Sequence, residues 1–298
     1  MDQVNCIKEA KGESWAVYNS DCVLFAQQMP ENSIDLSIYS PPFANLYIYS
    51  DSVADMGNCA DDEEFFDQYE FLVREIYRMT RPGRVTNVHC KNLVNYKGRD
   101  GMAGQRDFRG DIIRVHQKCG WAYHSEVTIW KDPVIEMQRT KAHGLLYKQL
   151  RADSTFSRQG MAEYVLTFRK WSNGDSDDCI VSPVTHTKDS FELDQWQQWA
   201  SPVWMDIRQT RVLNVQAGRE NGDEKHICPL QLDVIERCLV LWSNKGDVVF
   251  SPFTGIGSEG VCSVKLGRKF IGTELKESYW KQACGYLAQA ESESKTLL

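Results

Sequence analysis

The chain has 298 residues, 42% of them apolar and 11% aromatic, enough for one large domain or one domain with a sizeable insertion. A net charge of −7 argues against an indiscriminate polyanion binder. No run approaches the roughly 18 uninterrupted apolar residues of a membrane span, and Met1 to Glu13, polar and mixed in charge, is not a signal peptide, so a cytoplasmic protein is expected.

Asn19-Ser20-Asp21-Cys22 and the short apolar Val23-Leu24-Phe25 precede the first convincing element, Ile34 to Tyr39, which reads as a buried strand. It stops at Ser40-Pro41-Pro42-Phe43. Two successive prolines fix φ and lack N–H donors, which leaves carbonyls free for partners other than a neighbouring strand. A small polar side chain before the turn and an aromatic ring after it suit a flat, amino-bearing ring, with acceptors at its edge and a stacking face below. Taken alone, the four residues fit a strand-terminating turn over a buried Phe at least as well.

The Tyr-, Ser- and Asp-rich stretch 45–58 reads as loop. From Glu63 to Thr80, Phe65, Phe66, Tyr69, Leu72, Val73, Ile76 and Tyr77 recur at three and four residues and predict an amphipathic helix. Arg81-Pro82-Gly83 should stop it ahead of a strand, Arg84 to Cys90. A loop, Lys91–Gly110, a helix, Asp111–Lys118, a strand ending near Trp130 and another, Glu163–Phe168, complete an α/β succession.

Charge is unevenly spread. Asp51 to Glu75 is acidic, whereas Lys91, Lys97, Arg99, Arg106, Arg109 and Arg114 form one basic group and Lys131, Arg139, Lys141, Lys148, Arg151 and Arg158 a second. Such runs are commonly solvated faces. Met137 to Gly144 lacks clear periodicity, however, and reads as a cationic loop of the kind that holds a phosphate backbone, with Lys131, Arg139, Lys141, His143 and Lys148 as candidate phosphate contacts.

From Trp171 to about Lys225 the chain is polar and poorly periodic, an insertion or small appended module. Trp196, Trp199 and Trp204 are either its mini-core or a recognition surface. Regular structure resumes at Pro229 with a helix that buries Leu232, Ile235, Leu239 and Trp242. A strand, Lys245–Phe250, leads to Ser251-Pro252-Phe253-Thr254-Gly255-Ile256-Gly257-Ser258; then come a helix, Glu259–Leu266, a strand, Lys269–Thr273, ended by Glu274, and a last helix near Ser278–Ala290. The ten cysteines are singletons with no Cys-x-x-Cys pair; Cys90, Cys238 and Cys262 sit in apolar runs, as reduced thiols do. The six histidines do not pair at ligand spacing, His226-Ile227-Cys228 being the nearest approach, and no metal is expected.

Strand, Gly-x-Gly loop, helix, strand, acid is a nucleotide-binding βαβ order. Glycines let the backbone approach a ligand, the helix start offers unpaired N–H groups, and Glu274 stands where a carboxylate would accept both hydroxyl hydrogens of a ribose. No third glycine or basic residue is present for phosphates, so a nucleoside ligand such as S-adenosylmethionine fits better.

These motifs together resemble the DNA amino-methyltransferases of the permuted group, in which the catalytic motif precedes the cofactor motif. Ser40-Pro41-Pro42-Phe43 matches the family's (Asp/Asn/Ser)-Pro-Pro-(Tyr/Phe/Trp) tetrapeptide, and Phe250 to Ser258 its Asp-Pro-Phe-x-Gly-x-Gly-Thr loop, with Ser251 in place of Asp. Lys225 to Gln231 resembles the His-Pro segment that touches the cofactor, and Gly267 to Glu274 followed by Tyr279 the family's ending. The match covers roughly residues 18–90 and 225–285.

The resemblance implies a Rossmann-like, mixed but mostly parallel sheet flanked by helices, circularly permuted and carrying a small insertion. Residues 1–170 would form its catalytic half, 171–225 a candidate target-recognition insertion and 226–298 its cofactor-binding half. It implies S-adenosylmethionine held by Asp21, His226, Pro229, Phe250, Ser251, Phe253, Gly255, Gly257, Ser258 and Glu274, and methyl transfer at Ser40, Pro41, Pro42 and Phe43. The partner would be DNA, duplex with a flipped base or single-stranded; related enzymes often dimerise, which adds a homodimer. Ser at the first tetrapeptide position leans toward cytosine N4. The alternatives are adenine N6, a non-catalytic nucleic-acid-binding relative, or methylation of RNA or of a protein glutamine.

Overall fold

The structure, a computed structural model, describes residues 8–42, 56, 59, 62–140, 143–171, 183–214 and 229–296, except for the side chains of Asp62, Arg99, Arg139, Thr140 and His143. Its first half comprises β1 (Lys8–Lys11), β2 (Trp15–Asn19), α1 (Cys22–Gln28), β3 (Ile34–Tyr39), α2 (Asp62–Met79), β4 (Thr80–Lys91), β5 (Leu93–Asn95), α3 (Lys97–Asp100), β6 (Gly104–Arg106), α4 (Phe108–Lys118) and β7 (Ala122–Ile129). The second half continues with α5 (Pro133–Thr140), α6 (Tyr147–Ala152), β8 (Glu163–Arg169), α7 (Leu193–Trp199), β9 (Val203–Trp204), α8 (Leu232–Trp242), β10 (Val248–Ser251), α9 (Ser258–Lys265), β11 (Lys269–Glu274) and α10 (Glu277–Thr296).

Among the described residues nine strands form one mixed sheet, ordered β1-β2-β11-β10-β3-β4-β8-β7-β9. Strands β2, β11, β10, β3 and β4 run parallel, while β8 lies antiparallel between β4 and β7. All six residues of β3 are buried, because helices cover both faces; this is why the strand reads as a continuous apolar run. One core gathers Phe25 of α1, Phe65, Tyr69 and Leu72 of α2, and Phe108 and Ile112 of α4. The other gathers Val234 and Leu239 of α8, Val261 and Cys262 of α9, and Leu287 of α10. Cys90, Cys238 and Cys262 are buried free thiols, and no helix of the described residues is long and apolar enough to cross a membrane.

Four features differ from the sequence expectation. Strands β1 and β2 precede β3; β1 is largely exposed, and the period-2 burial of β2 (Trp15, Val17 and Asn19 inward) is too short to stand out. The Pro82-Gly83 stop lies inside β4 as a bulge: Ile34 pairs with Thr80 but Leu36 with Val85, and Gly83 takes φ +80°. Arg81 and Arg84 close on buried Asp35 there, at 2.7 and 3.5 Å. The loop expected over 91–110 holds the β5–β6 hairpin and α3. Finally, the cationic loop expected over 137–144 is helical as far as Thr140. Asp132 Oδ1 caps α5 by accepting from Val134 N (2.8 Å) and Ile135 N (3.1 Å), and Pro133 occupies the first turn. Val134 and Ile135 are exposed, which removes the apolar periodicity that would have signalled a helix.

Candidate active site

Parallel strands point their carboxyl ends the same way, and the sheet order reverses between β10 and β3, the place where open α/β sheets bind ligands. Phe250 pairs with Ser37, Ser251 with Gly272, Glu274 with Asn19 and Tyr39 with Val88. That register brings Asp21, Glu274, the 251–258 loop, Ser40 and His89 to one sheet edge.

The loop after β10 is tied down by its own backbone. Thr254 N donates to Thr273 O (3.0 Å), and Gly257 N to Thr254 O (2.8 Å). Glu274 accepts from Gly255 N through Oε2 and from Lys276 N through Oε1, both at 2.8 Å, while its carbonyl accepts from Asn19 Nδ2 at 2.9 Å. Gly257 caps α9 at φ +97°, where a Cβ would also lie 3.2 Å from Ala283 Cα. Gly255, at φ +53°, has open space where a side chain would stand. The hydroxyls of Ser251 and Ser258 are buried and have no hydrogen-bond partner among the described residues. An open glycine face, two spare hydroxyls, an anchored carboxylate and no cation on the loop fit an uncharged nucleoside better than a phosphate-bearing one. Burial pushes the carboxyl of Glu259, in the first turn of α9, up to about 8, and the nearby charge of Glu274 adds to this.

Other expected cofactor residues sort differently. Asp21 Oδ1 caps α1 through Leu24 N at 2.8 Å. Phe253 is half-buried beside Tyr39, with ring centroids 6.0 Å apart. Phe250 is wholly buried in the core near Phe25. Pro229 lies just ahead of α8, and His226 falls outside the described residues.

On the catalytic side, Ser40 and Pro42 are half-buried and Pro41 buried; Phe43 lies outside the described residues. Ser40 Oγ donates to the His89 carbonyl (3.2 Å) and lies 3.3 Å from His89 Nδ1. His89 Nε2 lies 3.3 Å from Glu163 Oε2, and Lys131 Nζ is 2.7 Å from Glu163 Oε1. Gln231, which precedes α8, also donates to Glu163 Oε2 at 3.4 Å. Burial disfavours the charge of Glu163, but the hydrogen bond of His89 and the Lys131 ammonium outweigh it and hold the carboxyl well below its ordinary range. Sequence reasoning missed His89, Glu163 and Gln231. The only signal of His89 and Glu163 was a polar residue near the end of an otherwise apolar strand, whereas Gln231 stood only as the end of the segment 225–231.

Several of the basic residues are spent on partners. Lys131, with its side chain 7% exposed, belongs to this buried network and not to a solvent-facing surface. Arg109 pairs with Glu126, Arg114 with Asp111 and Lys118 with Glu70. Lys148 is exposed on α6 beside Tyr147 and Leu150, whereas Lys141 and the side chains of Arg139 and His143 lie outside the description.

Of the region read as an insertion, β9 joins the main sheet beside β7, and Trp204 is buried there with Arg237 over its ring at 5.0 Å. Arg237 also lies over half-buried Trp199, which packs on Phe191, while Trp196 is 49% exposed.

Comparison with known proteins follows the same outline. A family model described as DNA methylase matches residues 34–284. The orphan methyltransferase M.BamHII of Bacillus amyloliquefaciens is 44% identical over 260 residues, 83% of this chain and 86% of the relative. The type II methyltransferase M.BamHI of the same organism is 24% identical over 92% of this chain, which spans only 59% of that relative's length. The structure of TTHA0409 from Thermus thermophilus with S-adenosyl-L-methionine superposes with a TM-score of 0.63 at 20% identity, covering 91% of this chain and 94% of that one.

Proposed function

This chain belongs to the N6/N4 DNA methylase family of S-adenosylmethionine-dependent enzymes, and we propose that it methylates the N4 amino group of cytosine in DNA. The observation that carries the reading is the adjacency of two strand ends, Ser40-Pro41 after β3 and the Gly255–Gly257 loop after β10, across neighbouring parallel strands. Ser251, Phe253, Gly255, Gly257, Ser258, Asp21 and Glu274, together with His226 and Pro229 from the segment before α8, would hold the cofactor. When bound, S-adenosylmethionine supplies an electrophilic methyl group on a sulfonium.

The exocyclic amino group of a base is a poor nucleophile, because its lone pair is delocalised into the ring. Ser40 Oγ and the Pro41 carbonyl accept its two hydrogens and favour a more tetrahedral nitrogen. Phe43 stacks on the base. Holding nitrogen and methyl in line supplies much of the remaining acceleration. None of this is possible inside a duplex, so the base is flipped out or the substrate is single-stranded. Lys148, with Arg139, Lys141 and His143, contacts phosphates, and residues 171–225 carry target recognition. Cytosine N4 is favoured over adenine N6 by Ser40 itself. A cytoplasmic homodimer protecting DNA, in a restriction–modification setting or in a phage, completes the proposal.

Incubation with S-adenosylmethionine and duplex DNA, digestion to nucleosides and mass analysis test this. N4-methylcytosine is the expected product; N6-methyladenine would overturn the choice of base, and methylation of RNA or protein alone the choice of substrate. Ser40→Ala should slow transfer by about 100-fold or more while cofactor binding by calorimetry is kept.

A further inference from the structure

Methylation leaves a nitrogen with one hydrogen too many, and the roles given to Ser40 and Pro41 provide no acceptor for that proton. Ser40 Oγ is 3.3 Å from His89 Nδ1, and His89 Nε2 is 3.3 Å from Glu163 Oε2. A carboxylate at Nε2 keeps the hydrogen on that nitrogen and turns the Nδ1 lone pair toward Ser40. Burying a His, a Glu and a Lys together is costly, and an apolar trio of the same volume would serve stability as well or better. The three side chains nevertheless sit at the strand edge that carries Ser40, 10%, 12% and 7% exposed.

We propose that His89, oriented by Glu163, takes up the proton of methyl transfer through Ser40. The inference rests on the reading above. As the amino nitrogen forms its bond to the methyl carbon, the carbon–sulfur bond breaks and its electron pair stays on sulfur. Ser40's hydroxyl, which donates to the His89 carbonyl at rest, turns to Nδ1 3.3 Å away, so that the nitrogen's proton passes to Ser40 Oγ while Ser40's own proton passes to His89 Nδ1. The positive charge that began on the sulfonium ends on an imidazolium facing Glu163, and the proton later leaves to solvent. Ser40 is the group that touches the substrate; His89 and Glu163 are positioning residues behind it. The other charged groups facing His89 are Lys131, paired with Glu163, and Lys91, two residues along β4 on the same face of the sheet; Gln231 is the neutral neighbour.

Two measurements test the proposal. In the free protein at alkaline pH, 15N NMR of labelled histidine reads the tautomer of His89, assigned by the signal that His89→Gln removes; the hydrogen should sit on Nε2, facing Glu163, with Nδ1 bare. Single-turnover methylation across pH should show an acid limb, because a protonated imidazole has no lone pair to offer. His89→Gln should remove that limb and slow transfer by about 100-fold or more, with S-adenosylmethionine affinity and urea midpoint kept. A wild-type His89 that carries its hydrogen on Nδ1 overturns the proposal even if His89→Gln does not fold. So does His89→Gln with the wild-type rate or acid limb. A wild type that methylates no DNA overturns instead the reading on which the proposal rests.

Discussion

Glu274 shows how one side chain acquires a role from its neighbours. Both carboxylate oxygens are already engaged, by Gly255 N and Lys276 N at 2.8 Å, so the group is held in one orientation before any ligand arrives. A carboxylate oxygen accepts more than one hydrogen bond, which lets an already anchored group also take a ribose hydroxyl. Glu274→Ala should weaken S-adenosylmethionine binding by about 10- to 100-fold, the equivalent of the roughly 1.5–3 kcal/mol of hydrogen bonds to a charged group. Calorimetry decides; unchanged affinity would put the ribose elsewhere. Asp21, expected near the adenine, illustrates a second kind of dependence, since its Oδ1 also caps α1. Substituting it would disturb both helix and site.

At the scale of elements, the first turn of α9 joins the Gly255–Gly257 loop to the core. Burial pushes Glu259 up to about 8 from an ordinary 4.5, so near neutrality the folded chain keeps a proton that the unfolded chain releases. The stability it contributes is therefore full below about pH 4.5 and is lost as pH rises through about 8, with a slope of up to about 1.4 kcal/mol per pH unit. Urea midpoints measured across this range should decline with pH for the wild type, and Glu259→Gln should flatten that decline. A variant with the same pH dependence would show that the carboxyl is ionised in the folded protein. Helix α5 carries the complementary lesson: its cap at Asp132 was readable, but its apolar residues face outward, so pattern alone pointed to a loop.

Across the whole molecule, the sheet extends further along the chain than composition suggests. Trp204 of β9 is 1% exposed, donates its indole N–H to Trp199 O at 2.9 Å and packs under Arg237. Trp204→Ala should cost about 3–5 kcal/mol, read as a lower urea midpoint of the main unfolding transition. If that transition were unmoved, β9 would be energetically separate from the sheet.

The strong signals in the sequence were local ones. The apolar run of β3, the helical period of α2, the Gly-x-Gly loop and the acid at the end of β11 depend on nearby residues, and together they were enough to predict the α/β class and the meeting of Ser40 with the Gly-x-Gly loop at one edge. Other features depend on residues far apart in the chain. His89, Glu163 and Lys131 come from three strand ends that meet only because β8 lies antiparallel between β4 and β7. A lysine reads the same in sequence whether it faces water or a buried carboxylate 32 residues away. Only the packed sheet, which removes Glu163 and Lys131 from water together, turned an expected phosphate contact into part of the network behind Ser40.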